Sequence, residues 1–295
     1  MIRPADYKQT DGKWGSLPYR VPGETSTVKS SGCGPTAMAD VLAALVSPYI
    51  DPVTCASWSR QHGYKVLRSG TSYSYPVAQA AAYGISVRRL NTANAYNRPA
   101  DAVHGQALAE IQAGNWLVAC MGKGLWTSSG HYIVVYGYSA GKVYICDPAS
   151  SKAARLCNTW ELFKSQVKYY WAVEVPDRIR QGGAVKDGDY RQEDFIREVQ
   201  MCTGTAMDGK AGPATLSGTV TVSARKNRRH AVVLPLQKKL RKLGRYTGDL
   251  DQTAGPLFTA AVNSYQKQVC LSANPDGEIT KGQRMWKSLL AYGEM

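Results

Sequence analysis

The sequence predicts an α+β domain followed by a smaller all-α domain. The first part of the chain mixes one apolar helix-like run with several runs rich in strand-forming residues. A polar, glycine-bearing stretch near residue 180 then interrupts this pattern. Beyond it, leucines and valines recur at three- and four-residue steps, which is the spacing of one helix face.

Length and composition are those of a globular protein with two domains. The chain has 295 residues, of which 44% are hydrophobic and 20% charged, and this balance argues against disorder. No stretch approaches the roughly 18 consecutive apolar residues of a membrane helix. The first residues lack the apolar core of a signal peptide. We expect a protein that is made in a cytoplasm and is not inserted in a membrane.

The predicted domains are residues 1–177 and 190–295, joined by a linker over 178–189. In the first domain the apolar periodicity predicts one helix and four strands. The helix is expected over 34–46 and the strands over 116–120, 131–138, 142–146 and 169–175. The second domain contains a diverged internal repeat, which we divide into two copies of helix, glycine-punctuated loop and helix.

The chain is basic, with a net charge of +14. Residues 1–177 hold 17 basic and 11 acidic side chains, or +6, whereas residues 178–295 hold 19 and 11, or +8. Such a surface attracts polyanions, which include nucleic acid and the anionic cell wall. No helix-turn-helix, zinc finger or similar signature accompanies the charge, so nucleic acid is the weaker candidate.

Seven cysteines at irregular spacing form no Cys-x-x-Cys and no Cys/His cluster. The sequence therefore predicts no metal site and no cofactor. Six of the cysteines are interpreted as reduced and buried. Cys33 is the exception, because it lies in the segment SGCGPT at residues 31–36, with glycines on both sides. Pro35 fits the first turn of the following helix, so Cys33 is expected at a helix N-terminus, which favours a thiolate.

A predicted hairpin supplies a histidine and a carboxylate. The runs that begin at His131 and end at Asp147 are strands by composition, with Ser-Ala-Gly between them at 139–141. If the turn centres on Ala140, opposed residue numbers sum to 280, and Asp147 faces Ile133. His131 then lies diagonally beside Asp147 on one face, where a carboxylate can orient a catalytic imidazole.

Gln9 is a fourth candidate, upstream of the cysteine. Its amide can donate a hydrogen bond to a developing oxyanion beside the backbone N–H of Cys33.

At these residues the chain resembles the papain-like cysteine peptidases of the bacteriocin-leader-processing type. The matching segments, in family order, are Gln9-x-Asp11, SGCGPT at 31–36, GHYIV at 130–134 and Asp147-Pro148. The resemblance covers about residues 5–175. It implies a papain-like fold and a thiol mechanism, with Cys33 as nucleophile, His131 as base, Asp147 as its orienting group and Gln9 in the oxyanion hole.

The last hundred residues resemble the peptidoglycan-binding domains of bacterial and phage wall hydrolases. An x-Leu-Gln helix, an Asp-Gly loop and a closing Trp-x-x-Leu carry the resemblance. The sequence departs from it at Asp251-Gln252, where the family usually has Asp-Gly. The pair of resemblances implies a phage endolysin or an autolysin with peptidoglycan as its partner. Such a protein would be made in a host cytoplasm and would act on the cell wall after release.

The sequence leaves three functional alternatives beside an endopeptidase of the stem peptide or cross-bridge. These are an amidase that cuts between muramic acid and L-alanine, a non-catalytic wall-binding protein and a nucleic-acid-binding protein. The oligomeric state is not predicted. Three histidines, His62, His104 and His230, are expected at the surface. Tyr73, Tyr75, Trp126 and Tyr132 are expected either to line a substrate groove or to build the core.

Overall fold

The chain folds into two compact units, residues 1–185 and 186–295, in a computed structural model. The structure describes residues 2–48, 50–91, 98–180 and 190–293. Mixed helix and sheet in the first unit and helices in the second confirm the predicted fold class. Of the segment predicted as linker, 178–180 belong to a short helix, and 181–189 lie outside the described residues.

In chain order the described elements of the first unit are α1 (Val28–Ser31), α2 (Cys33–Leu45), α3 (Pro52–Gln61), α4 (Tyr75–Ala82), β1 (Val87–Arg89), α5 (Asp101–Gln112), β2 (Trp116–Met121), β3 (His131–Ser139), β4 (Lys142–Cys146), α6 (Ala153–Leu156), β5 (Cys157–Thr159), α7 (Trp160–Gln166), β6 (Val167–Val173) and α8 (Asp177–Arg180). The predicted helix and four strands correspond to α2, β2, β3, β4 and β6 of the structure, with ends that differ by at most two residues, whereas the other elements of the unit were not predicted.

A six-stranded antiparallel sheet organises this unit, in the order β1-β6-β2-β3-β4-β5. All six residues of β2 are buried, so the centre of the sheet is covered on both faces. On one face, side chains of β2 and β3 form a core with residues of α5 and α7, such as Ile111 and Phe163. Helix α2 packs against β3, and α4 packs against β1.

Helix α2 is the central helix of the first unit, and eleven of its 13 residues are buried. It begins directly after Gly32, and the Thr36 hydroxyl donates to the Gly32 carbonyl at 2.8 Å. Deep in the same helix, the fully buried Asp40 accepts the Tyr7 backbone N–H at 2.6 Å. Burial raises the pKa of Asp40 well above its usual value. This contact ties the N-terminal segment to the helix that carries Cys33.

The β3–β4 hairpin differs from the predicted one next to its turn. Ser139 pairs with Lys142, so the turn has two residues, and their numbers sum to 281 rather than 280. Ala140 and Gly141 both take positive φ, 49° and 75°, as this tight turn requires. The expected register is therefore wrong at this end.

A β-bulge at Tyr136 restores the expected register at the other end of the hairpin. Val135 pairs with Ile145 and Val134 with Cys146, so the sums return to 280. One further step places Asp147 opposite Ile133, as the sequence predicted. Because side chains alternate between faces, Asp147 shares a face with His131 only when Tyr136 bulges out of the ladder instead of pairing in it.

The second unit is helical in the residues that the structure describes. Its helices are α9 (Gln192–Thr203), α10 (Pro213–Gly218), α11 (Val233–Lys242), α12 (Pro256–Gln268) and α13 (Arg284–Leu290). No helix among the described residues of either unit has the length and apolarity that crossing a membrane requires.

The sequence predicted two copies of the repeat, but the described residues of the second unit contain three loops that are each held by a glutamine of the preceding helix. In each loop a helix glutamine donates to an aspartate at 2.7 or 2.8 Å. The pairs are Gln200 with Asp208, Gln237 with Asp251, and Gln266 with Asp276. The next residue takes positive φ and donates its N–H back to the same glutamine; these residues are Gly209, Gln252 and Gly277. Gln252 thus adopts the left-handed backbone that a glycine adopts in the other two loops.

A buried ion pair joins helix α9 to helix α11. Lys238 Nζ of α11 lies 2.8 Å from Glu198 Oε1 of α9, and both side chains are almost fully buried. The Tyr190 hydroxyl donates to the second oxygen of Glu198 at 2.8 Å. Helix α9 is therefore an integral part of the helical unit.

Candidate active site

Cys33 is the first residue of α2 and is partly exposed. Gly34 lets the loop at Thr71 close on this helix start, since a Cβ there would lie 2.7 Å from Thr71 Oγ1. Burial by itself raises the pKa of the Cys33 thiol. The hydrogen bond and charge of His131, with the backbone N–H groups of Tyr132 and Gly34, outweigh burial and lower this pKa below its usual value.

His131 is the first residue of β3 and is buried. Its Nε2 lies 2.7 Å from Asp147 Oδ1, which leaves Nδ1 for the hydrogen bond to Cys33. Burial by itself lowers the pKa of His131. The hydrogen bonds and charges of Asp147 and Cys33 outweigh it and raise this pKa to about 9. The lowered pKa of Cys33 and the raised pKa of His131 together favour a thiolate–imidazolium pair at neutral pH.

Asp147 is fully buried immediately after β4. Besides His131 it accepts the backbone N–H of Ala149 at 2.8 Å and Nε of Arg155 at 2.6 Å. Burial by itself raises the pKa of this carboxyl. The hydrogen bond and charge of His131, with the Ala149 N–H and the Arg155 charge, outweigh burial and lower its pKa. The carboxylate is therefore ionised when it faces the imidazole.

Sequence reasoning missed Arg155. Its Nη2 donates to the Trp126 carbonyl at 2.6 Å, and Trp126 Nε1 donates back to the Arg155 carbonyl at 2.9 Å. These reciprocal bonds fix the guanidinium against Asp147. The four charges then alternate in sign from Cys33 through His131 and Asp147 to Arg155, so the buried carboxylate is compensated on both sides. An arginine eight residues after the aspartate, in the short helix α6, carries no sequence signal for this role.

Gln9 contacts the segment before Cys33 and the turn after Asp147. Its side chain is buried and donates from Nε2 to the Lys29 carbonyl at 2.6 Å, just before α2. Its backbone N–H donates to the Pro148 carbonyl at 2.8 Å, next to Asp147. An amide nitrogen carries two hydrogens, so one N–H remains beyond the bond to Lys29. The segment around Gln9 is thus held against both α1, the helix that precedes Cys33, and the Asp147 turn.

The remaining histidines differ in burial. His104 was expected at the surface but is buried, and its Nδ1 lies 2.8 Å from the Tyr170 hydroxyl. Helix α5 carries it onto the core because it packs against β2, β3 and β6. His62 is exposed and stacks on Trp58, and His230 is half-buried. None of the three contacts Cys33 or Asp147 among the described residues.

Three of the four aromatic candidates for a groove belong to the core. Tyr75, Trp126 and Tyr132 are buried, whereas Tyr73 is half-buried. The seven cysteines form no disulfide. Burial raises the pKa of Cys120 to about 12 and also raises the pKa of Cys146 and Cys202. In the part of the chain that the structure describes, no three potential metal ligands cluster.

Comparison with known proteins identifies the class to which this geometry belongs. The model of the Peptidase_C39 like family matches residues 7–173, which is more than half of the 295-residue chain. The chain therefore belongs to that family, and its first unit is a papain-like cysteine peptidase domain. A second model, described as "Putative peptidoglycan binding domain", matches residues 229–284. The protein thus combines a C39-like peptidase domain with a peptidoglycan-binding domain.

Among solved structures, the chain is similar to the peptidase domain of Streptococcus ComA, a bi-functional ABC transporter involved in a quorum sensing pathway. The two are 20% identical, with a TM-score of 0.34, and the alignment covers 50% of this chain and 93% of that one. No curated protein matches the chain.

Proposed function

We propose that the protein is a peptidoglycan hydrolase that cuts an amide bond of the stem peptide or its cross-bridge. The observation that carries this proposal is the Cys33–His131–Asp147 chain in one polypeptide with a peptidoglycan-binding domain. A lowered thiol pKa at a helix start supplies the nucleophile. The wall-binding domain raises the effective concentration of the enzyme at its substrate.

The proposed reaction has two halves. The Cys33 thiolate attacks the amide carbonyl and forms a tetrahedral oxyanion, held by the Cys33 backbone N–H and the Gln9 amide. His131 gives its proton to the nitrogen as the C–N bond breaks, which leaves a thioester and a free amine. His131 then takes a proton from water, whose oxygen attacks the thioester and releases a carboxylic acid and Cys33. Asp147 holds the imidazole in orientation throughout.

We also propose that the biological setting is lysis, either by a phage endolysin or by an autolysin. The protein would be made in a host cytoplasm and reach the wall after release. The net charge of +14 supports wall binding, since it draws the chain to an anionic polymer.

Mass spectrometry of fragments released from purified walls tests the proposal. We expect new amino groups within the stem peptide or cross-bridge, with the bond between muramic acid and L-alanine intact. New L-alanine amino groups instead would identify the amidase with the same thiol chemistry. Equal release by Cys33→Ala and the wild type would reject Cys33 as nucleophile, and release by neither would leave a wall-binding protein.

Binding is tested with the same inactive full-length Cys33→Ala variant. It should sediment with purified walls even at about 1 M salt, where the screening length falls to about 3 Å and general charge attraction is suppressed. Complete release from the walls at that salt concentration would show that charge alone holds the protein there.

A further inference from the structure

The guanidinium of Arg89 rests on three aromatic rings in the first unit. Its central carbon lies 4.3 Å from the ring centre of Tyr169, 5.7 Å from that of Trp171 and 6.0 Å from that of Tyr73. We call these four residues the Arg89 shelf. Such cation–π contacts fix the plane of the guanidinium and leave its N–H edge available for a ligand.

Arg89 lacks a polar partner among the residues that the structure describes. Its Nε is buried without an acceptor, and no carboxylate of those residues pairs with it. A buried donor without an acceptor is costly, and more so when the group is charged. Yet Arg89 and Tyr73 are only half-buried, so a ligand can reach the shelf.

The Arg89 shelf lies on the face of the sheet that carries the ring of Tyr132, a residue that contacts Cys33. Arg89 pairs with Trp171 across β1 and β6, so their side chains share a face. The Trp171 ring in turn lies 5.6 Å from that of Tyr132, whose backbone N–H donates to Cys33. Tyr73 belongs to the loop that packs at the start of α2.

The distance from the shelf to the site fits a peptide substrate. Three strand spacings separate β1 from β3, which is about 14 Å at roughly 4.8 Å each. Arg89 is level with Val134, which lies three residues, or roughly 10 Å, along β3 from His131. The combined distance of roughly 17 Å is covered by an extended peptide in about five residues at roughly 3.3 Å per residue. A substrate with its scissile bond at Cys33 can therefore place a side group on Arg89.

We propose that the Arg89 shelf binds a carboxylate of the peptide substrate and so selects acidic over amidated stem peptides. The inference rests on the proposed function, since stem peptides present free carboxylates such as the α-carboxylate of γ-linked D-glutamate. The planar N–H fork of the guanidinium matches a carboxylate with two parallel hydrogen bonds. An amide cannot match it, because its NH₂ group would face the N–H donors of Arg89.

A matched pair of synthetic stem peptides tests the proposal. One carries the free α-carboxylate of D-glutamate and the other its amide, with all other positions the same. Wild-type enzyme should cleave the acid with a kcat/KM about 10- to 100-fold higher, the range for one charge-assisted contact. Arg89→Met should remove this preference by losing activity on the acid alone, and Arg89→Lys should keep part of it.

Arg88→Met is the control. Arg88 is the adjacent residue on the opposite face of β1, exposed and paired with Glu110. It should keep the full preference for the acid. Equal cleavage of the two peptides by the wild type would overturn the shelf proposal even if no Arg89 variant folds. Equal losses on both peptides in Arg89→Met would also overturn it while leaving hydrolysis of stem peptides intact. Failure of the wild type to cleave either peptide or purified walls would reject the proposed function itself.

Discussion

Cys33 and Cys120 show how neighbours decide the chemistry of a thiol. Burial raises the pKa of Cys120 to about 12, so it remains a protonated core residue. Cys33 is also opposed by burial, but an imidazolium and two backbone N–H donors reverse the direction. In the sequence, the glycines beside Cys33 set it apart from the other cysteines. Cys120 has no such neighbours and was expected to be buried.

Gln9 allows the oxyanion role to be separated from a structural one. Gln9→Ala should lower kcat by about 10²–10³ with little change in KM, the usual cost of one lost oxyanion donor. Loss of the hydrogen bond from its Nε2 to the Lys29 carbonyl should lower the free energy of unfolding by about 1 kcal/mol. Steady-state kinetics and urea unfolding measure the two effects. A variant within a few-fold of the wild-type kcat would remove Gln9 from the oxyanion hole.

Arg155 should act on catalysis through Asp147. Arg155→Met removes a cation that helps to lower the pKa of Asp147, so this pKa should rise. Asp147 loses its charge as the pH falls through its pKa. A higher pKa should therefore move the acid limb of the kcat/KM profile to higher pH. Breaking the buried pair should also destabilise the protein by about 3–5 kcal/mol.

The exposed Lys152, three residues away, gives a charge-matched control in Lys152→Met. That variant should keep the wild-type pH profile. An Arg155→Met profile parallel to that of the wild type would show that Arg155 contributes to stability alone.

At the scale of the element, the β3–β4 hairpin shows what composition can and cannot predict. Strand-forming runs and a small-residue turn predicted both strands and brought His131 to Asp147. The composition gave no signal for the bulge at Tyr136, because a bulge depends on how two strands pair. The turn and the bulge each shift the register by one residue, and the two shifts cancel at the site.

Deleting Tyr136 should therefore retain activity while the strands still pair. Without the extra residue Val135 directly precedes Gly137 and still faces Ile145, so Asp147 still faces Ile133 on the face of His131. The matched control is Tyr136→Ala, which keeps the bulge and loses only the ring contact with Tyr144. Circular dichroism and peptide hydrolysis measure the two properties. Loss of activity in the deletion alone, with native circular dichroism, would show that the bulge itself and not the register positions Asp147.

The buried pair in the helical unit makes α9 necessary for its fold. Lys238→Met removes the cation that compensates the buried Glu198 carboxylate, and should destabilise the second unit by about 3–5 kcal/mol. Glu198→Gln with Lys238→Met should recover most of this loss. Thermal unfolding measures both. An unchanged melting temperature in Lys238→Met would show that α9 contributes little to the stability of the unit.

At the scale of the whole molecule, the sequence predicted the fold class and the order of the two domains. Separated motifs were enough for this, since each places a reactive side chain at the end of an element. Contacts between distant segments were beyond it. The Arg89 shelf and the contact of Arg155 with Trp126 arise from tertiary packing, whereas the third glutamine loop is local and the repeat was divided wrongly. His104 was misplaced for the same reason, because its polar sequence context hid the packing of α5 on the sheet.

The most direct test of the account compares the reactivity of the seven cysteines in the intact protein. With the pKa of Cys33 lowered and that of His131 raised to about 9, the thiolate–imidazolium pair persists on the acid side of neutrality. A limiting amount of iodoacetamide at a mildly acidic pH should label Cys33 first, with the partly exposed Cys157 as internal reference. Hydrolysis should fall in step with that label, and His131→Ala should slow it. Labelling spread evenly over the cysteines, or full activity with Cys33 alkylated, would contradict the assignment of Cys33 as nucleophile.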